Sequence, residues 1–165
     1  MTDTIKPRNR GGLLAPWVRL VRDGAQPAYD PKADRTGALP DGKVKSPPQV
    51  FALLRERAAA EEVEVFYVLV LNGQSRLLAC QEVTRGILTS SLVHPREVFR
   101  LAVAYGAAGI IVAHNPPSGD PTPSPDDRAV TRQLVEAGRT LDIPLYDHVV
   151  LGADRYLSFA EAGLL

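Results

Sequence analysis

Side chains that can bind a metal or move a proton are concentrated in the segment AHNPPSGDPTPSPDD, residues 113–127. His114 ends an apolar run, and Asp127 comes three residues after Ser124. A catalytic zinc ion usually takes three protein ligands and leaves its fourth position to water. His114 and Asp127 could supply two of these ligands across the loop, and the Ser124 hydroxyl could hydrogen-bond a tetrahedral oxyanion.

Glu64 stands at the start of the apolar segment EVFYVLVL and is a candidate base for moving a proton from water to a leaving group. A structural interpretation of all four residues remains open. Ser124 and the acids after it are also typical of a capped helix start. His114 could be a hydrogen-bonded core residue, and Glu64 an edge residue. Spacing alone does not decide between the two interpretations.

The segments around these residues predict alternating helices and strands. Ser46 and Gln49 have capping-box spacing at the start of a helix, and Asn72-Gly73 predicts a hairpin between two apolar strands. GIIVAHN predicts a buried strand that ends on His114, and a helix begins at Ser124. The remaining predicted elements are an extended GILTSSLV, a helix in HPREVFRLAVAYGAAG, and strands in IPLYDHVVLG and RYLSFAEAG.

This order predicts one mixed α/β domain over residues 46–165, with helices flanking a sheet. Residues 1–45 are rich in Gly, Pro and charge without periodicity, which predicts a flexible N-terminal arm. Trp17 in that arm is a candidate for docking on the domain or on a partner.

Composition argues against several function classes. The 19 basic and 19 acidic residues balance, with nine basic against five acidic residues in 1–45 and ten against fourteen in 46–165. An acidic domain without a basic stripe does not favour nucleic acid as a partner. Cys80 is the one cysteine, so no intrachain disulfide can form, and the apolar runs are too short to span a bilayer. We therefore expect a soluble, cytoplasmic protein with no membrane partner.

Residues 44–165 resemble the RadC-like JAB domain, a branch of the JAMM/MPN metallopeptidase fold, which is cytidine-deaminase-like. The resemblance is carried by HPRE, SGDPTPS followed by Asp127, T--L--AG and DH, which occur together and in order. It implies a zinc-dependent metalloprotease, a hydrolase of peptide or isopeptide bonds. His114 and Asp127 then match zinc ligands, Ser124 matches the residue that assists the tetrahedral intermediate, and Glu64 matches the glutamate that activates water. Glu61 and Glu62 lie close to Glu64 and are alternatives for that match.

The sequence departs from this family at Pro116, where the family has its second histidine. Proline has no imidazole and no backbone N–H, so it cannot ligate zinc through its side chain. With two protein ligands, zinc should bind weakly or not at all. Four residues could in principle supply a replacement ligand: His94, Asp120, His148 and Cys80.

Three functions therefore compete. The first is a JAMM-type zinc metallopeptidase or isopeptidase, impaired by the missing ligand, acting on a peptide or protein substrate. The second is a metal-free MPN pseudoenzyme that serves as a protein-interaction module. The third is a DNA-repair-associated protein, which the charge pattern does not favour. Zinc content before and after Pro116→His would separate the first from the second.

Overall fold

The computed structural model describes residues 38–86 and 93–165, and within them three helices flank a five-stranded sheet. In chain order the elements are α1 (Pro47–Ala59), β1 (Val65–Leu71), β2 (Leu77–Arg85), α2 (Pro95–Ala104), β3 (Gly109–His114), α3 (Pro125–Leu141), β4 (Leu145–Leu151) and β5 (Tyr156–Ser158). The predicted mixed α/β fold is confirmed. The predicted extended segment GILTSSLV and Trp17 fall, wholly or almost wholly, outside the described residues.

The sheet has the strand order β2-β1-β3-β4-β5. β1 pairs antiparallel with both β2 and β3, β3 pairs parallel with β4, and β4 pairs antiparallel with β5. The parallel pair needs a crossover, which α3 provides. His114 therefore lies at the carboxyl end of the central strand, beside Phe66 of β1 and Val150 of β4.

Both faces of the sheet are covered, because successive strand residues point to opposite sides. One core joins α1 to the odd-numbered residues of β1, including Tyr67 and Leu69. The other joins α2 and α3 to Phe66, Val68 and Val112. β1 and β3 are buried along their whole length, which explains why both read as continuous apolar runs.

Two helix starts were predicted from capping patterns, and they differ in the structure. At α3 the capping box is complete: Ser124 Oγ accepts from Asp127 N at 3.1 Å, and Asp127 Oδ2 accepts from Ser124 N at 2.7 Å. At α1, Ser46 is the N-cap residue but its side chain makes no capping bond. There the Gln49 side chain accepts instead from Lys45 N at 2.7 Å, one residue before the predicted position.

The predicted hairpin is present, but its turn is longer than Asn72-Gly73. β1 ends at Leu71 and β2 begins at Leu77. Asn72 Oδ1 accepts from the backbone of Gln74 at 2.9 Å and of Arg76 at 3.0 Å. Ser75 adopts the positive φ of 59°. Asn72 therefore shapes the turn through its side chain, an Asx-type turn that the dipeptide rule does not anticipate.

Residues before the predicted boundary at residue 46 also contribute to the core. Leu39 is fully buried and Val44 nearly so, both packed in the core beneath α1. Lys43 forms an isolated β-bridge with Arg76. Residues 38–45 thus pack on the domain, and the flexibility expected for residues 1–37 stays a prediction. None of the helices in the described residues is long and apolar enough to cross a membrane.

Candidate metal centre

Three chain segments bring a histidine and two carboxylates together at one edge of the sheet. Glu64 directly precedes β1, His114 ends β3, and Asp127 lies in the first turn of α3. Phe66 pairs with His114 in the β1–β3 register, and Glu64 is two residues before Phe66. The pleat therefore directs Glu64, Phe66 and His114 to the same side of the sheet, the side that α3 covers.

The distances within this group match those of a metal site. His114 Nε2 lies 3.2 Å from Asp127 Oδ1 and 3.6 Å from Glu64 Oε1, and the three ligand atoms all lie within 4.8 Å of one another. Tetrahedral zinc with bonds of about 2.0–2.2 Å separates its ligand atoms by about 3.3–3.6 Å. Two carboxylates and a neutral imidazole carry two negative charges, which one divalent cation neutralises. The residues present therefore fit such an ion.

Burial of two carboxylates beside a neutral imidazole is electrostatically unfavourable unless a cation lies between them. The His114 side chain is 1% exposed, and those of Asp127 and Glu64 are 10% and 14% exposed. Burial lowers the pKa of His114 below its ordinary value, and the Asp127 carboxylate acts in the opposite direction. A neutral imidazole presents a lone pair, which a metal ion requires.

Behind His114 lies a second buried imidazole. His114 Nδ1 is 2.8 Å from His148 Nε2, and His148 Nδ1 is 2.7 Å from Thr131 Oγ1. The His148 ring stacks on Phe159, with ring centres 4.7 Å apart, and meets Phe66 edge-on. Burial holds the pKa of His148 well below its ordinary value, and the neighbouring His114 ring lowers it further. His148 is thus a neutral core residue with both ring nitrogens in contact.

Ser124 touches this group through Asp127. One Asp127 oxygen accepts from the Ser124 backbone, while the other faces His114. Ser124 Oγ accepts from the Asp127 backbone, so its own hydrogen is not used in that bond. The capping box therefore fixes the Asp127 carboxylate and leaves the Ser124 hydroxyl a donor for a ligand. The structural and chemical interpretations of these two residues are compatible with each other.

Asn115 is a site residue that sequence reasoning missed. It is buried, and its carboxamide bridges the backbone on both sides of Glu64: Oδ1 accepts from Val65 N at 2.9 Å, and Nδ2 donates to Val63 O at 3.1 Å. The Glu64 carbonyl in turn accepts from Gly86 N at 2.8 Å. Asn115 thus extends the β1–β3 ladder by one step and fixes Glu64 beside His114.

Pro116 is the first residue of a turn, and it supplies no metal ligand. Its carbonyl accepts from Gly119 N at 2.9 Å, and Gly119 has a φ of 73°. The Gly119 carbonyl accepts from Ala153 N at 3.0 Å, which ties the loop to the end of β4. A Cβ added at Gly119 would lie 3.3 Å from that of Ala153. The loop therefore has its own fixing contacts, independent of a metal.

The candidate replacement ligands lie elsewhere or are engaged. Both ring nitrogens of His148 are occupied, and Asp120 is exposed and bonds Thr122 and Arg155. His94 is the N-cap residue of α2, and Cys80 lies on β2, where burial raises the pKa of its thiol to about 11. Across residues 38–86 and 93–165, the group of acidic, histidine or cysteine side chains spaced for a metal is Glu64, His114 and Asp127.

A mixed sheet with this strand order, flanked by three helices and carrying this group at the end of its central strand, has the architecture of a JAB/MPN domain. The family sequence model of the RadC-like JAB domain matches residues 44–164. The chain belongs to this family, as the resemblance in its sequence implied.

Curated relatives agree with this assignment. The chain is 47% identical over 133 residues to a UPF0758 protein of Symbiobacterium thermophilum, covering 79% of this chain and 57% of that protein. It is 47% identical over 120 residues to a UPF0758 protein of Pelobacter propionicus, covering 73% and 52%. A UPF0758 protein of Methanosarcina acetivorans is 41% identical over 126 residues, covering 76% and 55%. The chain thus spans little more than half the length of these relatives.

Proposed function

We propose that this chain is a JAMM-type metal-dependent hydrolase of peptide or isopeptide bonds, impaired because its metal centre lacks one histidine. The observation that carries the proposal is the placement of Asp127 Oδ1 and Glu64 Oε1 at 3.2 Å and 3.6 Å from His114 Nε2. Zinc is the ion that the family resemblance favours. The proposed substrate is a peptide or protein, since the acidic domain does not favour nucleic acid.

Each residue has a role that its geometry allows. His114 and Asp127 would hold the ion, which supplies Lewis acidity for activating water and polarising an amide carbonyl. The Glu64 carboxylate would accept a proton from the attacking water and return it to the leaving nitrogen. The Ser124 hydroxyl would donate a hydrogen bond to the oxyanion of the tetrahedral intermediate. The buried surroundings strengthen each of these electrostatic interactions.

The replacement of the second histidine by Pro116 places two demands on Glu64. With His114 and Asp127 alone, the ion has two protein ligands where catalytic zinc normally has three. Glu64 lies at ligand distance and would complete the set. A carboxylate that ligates the ion is not available as a base, so hydrolysis should be slow even when metal is bound.

The decisive measurement is metal content by elemental analysis after dialysis against a mild chelator, together with zinc affinity by competition titration. We expect the unmodified chain to lose its zinc and Pro116→His to retain it, with an affinity at least about 10–100-fold higher. Asp127→Ala in the Pro116→His background should abolish the gain. Stoichiometric zinc in the dialysed unmodified chain would contradict the proposed weakness of the centre.

Glu64→Gln tests the two roles of Glu64. In the unmodified chain it should lower zinc affinity by about 10-fold or more, because an amide oxygen replaces a carboxylate ligand. In the Pro116→His background it should leave affinity within a few-fold and abolish peptide hydrolysis, because only the base is lost. An equal effect on affinity in both backgrounds would contradict the dual role.

A second candidate is a metal-free MPN module that binds a partner protein. Pro116 favours it, because it supplies no ligand and its loop is held by backbone hydrogen bonds of Gly119 and Ala153. Under this alternative, zinc added in excess neither binds the unmodified chain nor raises its melting temperature. Binding that shifts the melting temperature would favour the metal-dependent proposal instead.

A further inference from the structure

Four buried polar groups form one continuous hydrogen-bonded chain behind the candidate metal centre. Thr131 Oγ1 donates to the Asp127 carbonyl at 2.6 Å and contacts His148 Nδ1 at 2.7 Å. His148 Nε2 contacts His114 Nδ1 at 2.8 Å. His114, His148 and Thr131 are each no more than 1% exposed. Water therefore has little access to this chain, and each polar atom depends on its protein partner.

The proton positions along this chain follow from its first group. A carbonyl oxygen can only accept, so the single hydroxyl hydrogen of Thr131 points to Asp127 O. Thr131 Oγ1 must then accept from His148, which places the His148 proton on Nδ1. A neutral His148 has an acceptor at Nε2, so it receives the Nδ1–H of His114. The lone pair of a neutral His114 is therefore on Nε2.

That lone pair is directed at the two carboxylates. His114 Nε2 is the atom 3.2 Å from Asp127 Oδ1 and 3.6 Å from Glu64 Oε1. Without a cation, a lone pair facing two carboxylates is repulsive. With a cation between them, each of these three atoms can donate an electron pair to the ion. The chain of hydrogen bonds thus selects the histidine tautomer that suits a metal ion.

We propose that Thr131 and His148 are positioning residues that fix His114 in its Nδ1–H tautomer and so keep Nε2 available to a metal ion. A metal-ligating histidine commonly donates its other N–H to a carboxylate, a carbonyl or water, which orients the ring and raises its basicity. Here a second imidazole takes that place. The part of this inference that concerns metal affinity rests on the proposed function, whereas the tautomer does not.

This series of hydrogen bonds also connects the proposed ligand Asp127 to the proposed ligand His114, in addition to the direct contact between their side chains. Asp127 faces His114 through its carboxylate, and its carbonyl anchors Thr131 one helical turn later. Thr131 then connects through His148 to the opposite side of the His114 ring. The first turn of α3 therefore reaches both sides of the His114 ring, directly through the Asp127 carboxylate and indirectly through Thr131 and His148.

Thr131→Val is the sharpest test, with Thr131→Ser as its matched control. Valine keeps the shape of threonine but leaves His148 Nδ1 without an acceptor, whereas serine keeps the hydroxyl. We expect the proton of His148 to move to Nε2 in Thr131→Val and that of His114 to follow it to Nε2. Thr131→Ser should leave both tautomers as in the unmodified chain.

The tautomers are read by long-range ¹H–¹⁵N correlation of the imidazole rings in the metal-free full chain. A pH of about 8 lies above the ordinary imidazole pKa of about 6.5, so the neutral rings are observed. A His114 proton on Nε2 in the unmodified chain would overturn the inference. So would identical His114 tautomers in Thr131→Val and Thr131→Ser.

Zinc affinity supplies the second measurement. We expect about a 10-fold loss in Thr131→Val and little change in Thr131→Ser. Equal affinities in the two variants would overturn the role in metal binding. Absence of zinc binding even with Pro116→His would contradict the proposed function, while the tautomer measurement would still stand. If Thr131→Val does not fold, His148→Gln presents a carboxamide oxygen to His114 Nδ1 and should preserve its tautomer, whereas His148→Leu should not.

Discussion

A single buried asparagine holds the backbone on both sides of Glu64. Asn115 bonds the backbone of Val63 and Val65, the two neighbours of Glu64, and it follows His114 directly in the chain. One residue thus connects the end of β3 to the start of β1. A side chain that bonds the backbone beside Glu64, together with the β1–β3 register, therefore holds Glu64 near His114.

Asn115→Ala should lower both stability and zinc affinity. It leaves Val65 N–H and Val63 C=O without their partner, which we expect to cost about 2 kcal/mol in the free energy of unfolding. Glu64 should then be held less firmly, and zinc affinity should fall by about 10-fold. Urea titration and zinc competition measure the two effects.

Asn72→Ala is the matched control for Asn115→Ala. Asn72 also holds backbone groups through its side chain, at Gln74 and Arg76, but in the hairpin turn at the opposite end of β1 from Glu64. It should lower stability while leaving zinc affinity within about twofold. Equal losses of zinc affinity in both variants would show that Asn115 acts only through general stability.

At the scale of elements, strand ends and helix starts made the centre predictable in part. His114 was recognisable because a buried apolar strand ends on it, and Asp127 because Ser124 marks a capped helix start. The contacts of His148 and Asn115 were not recognisable. The contact of His148 with His114 depends on the parallel β3–β4 register, in which Val112 pairs with His148. The hydrogen bond of Asn115 with Val65 joins residues 50 apart in the chain. Neither leaves a periodic signal.

Strand β2 carries a thiol that should be unreactive in the folded protein. Cys80 pairs with Leu69 of β1, and burial raises the pKa of its thiol to about 11. Because the thiolate is the reactive form, alkylation by iodoacetamide at about pH 8 should be about two orders of magnitude slower than for an ordinary cysteine of pKa about 8.5.

Mass spectrometry after timed alkylation of Cys80 measures this rate. The rate should rise about tenfold for each unit of pH until it approaches the raised pKa, because the thiolate fraction rises in that proportion. The same chain unfolded in guanidinium is the control and should react at the ordinary rate. Native and unfolded rates within a few-fold of each other would contradict the raised pKa of this thiol.

At the scale of the whole molecule, the segment before α1 belongs to the hydrophobic core. Leu39 is fully buried among residues that α1 and the sheet contribute. The burial of Leu39 could not be predicted from the sequence, because an isolated leucine among Gly, Pro and charged residues shows no periodic pattern. Leu39→Ala should lower the free energy of unfolding by about 3 kcal/mol, because it leaves a cavity.

Leu141→Ala is the control for Leu39→Ala, since Leu141 is 46% exposed at the end of α3. It should cost less than about 1 kcal/mol. Thermal unfolding followed by circular dichroism compares the two variants. Equal and small shifts would mean that residues 38–45 contribute little to the fold.

The strand order β2-β1-β3-β4-β5 has a consequence for folding kinetics. The β1–β2 hairpin is local and can form early, whereas β3 pairs with β4 only after the α3 crossover is closed, and closing long loops is slow. His148 reaches His114 through that late pairing. During synthesis, His114 therefore emerges before Thr131 and His148, the residues that contact the far side of its ring. The hydrogen-bonded His114 ring that the proposed metal centre uses is therefore complete only after β3 and β4 have paired.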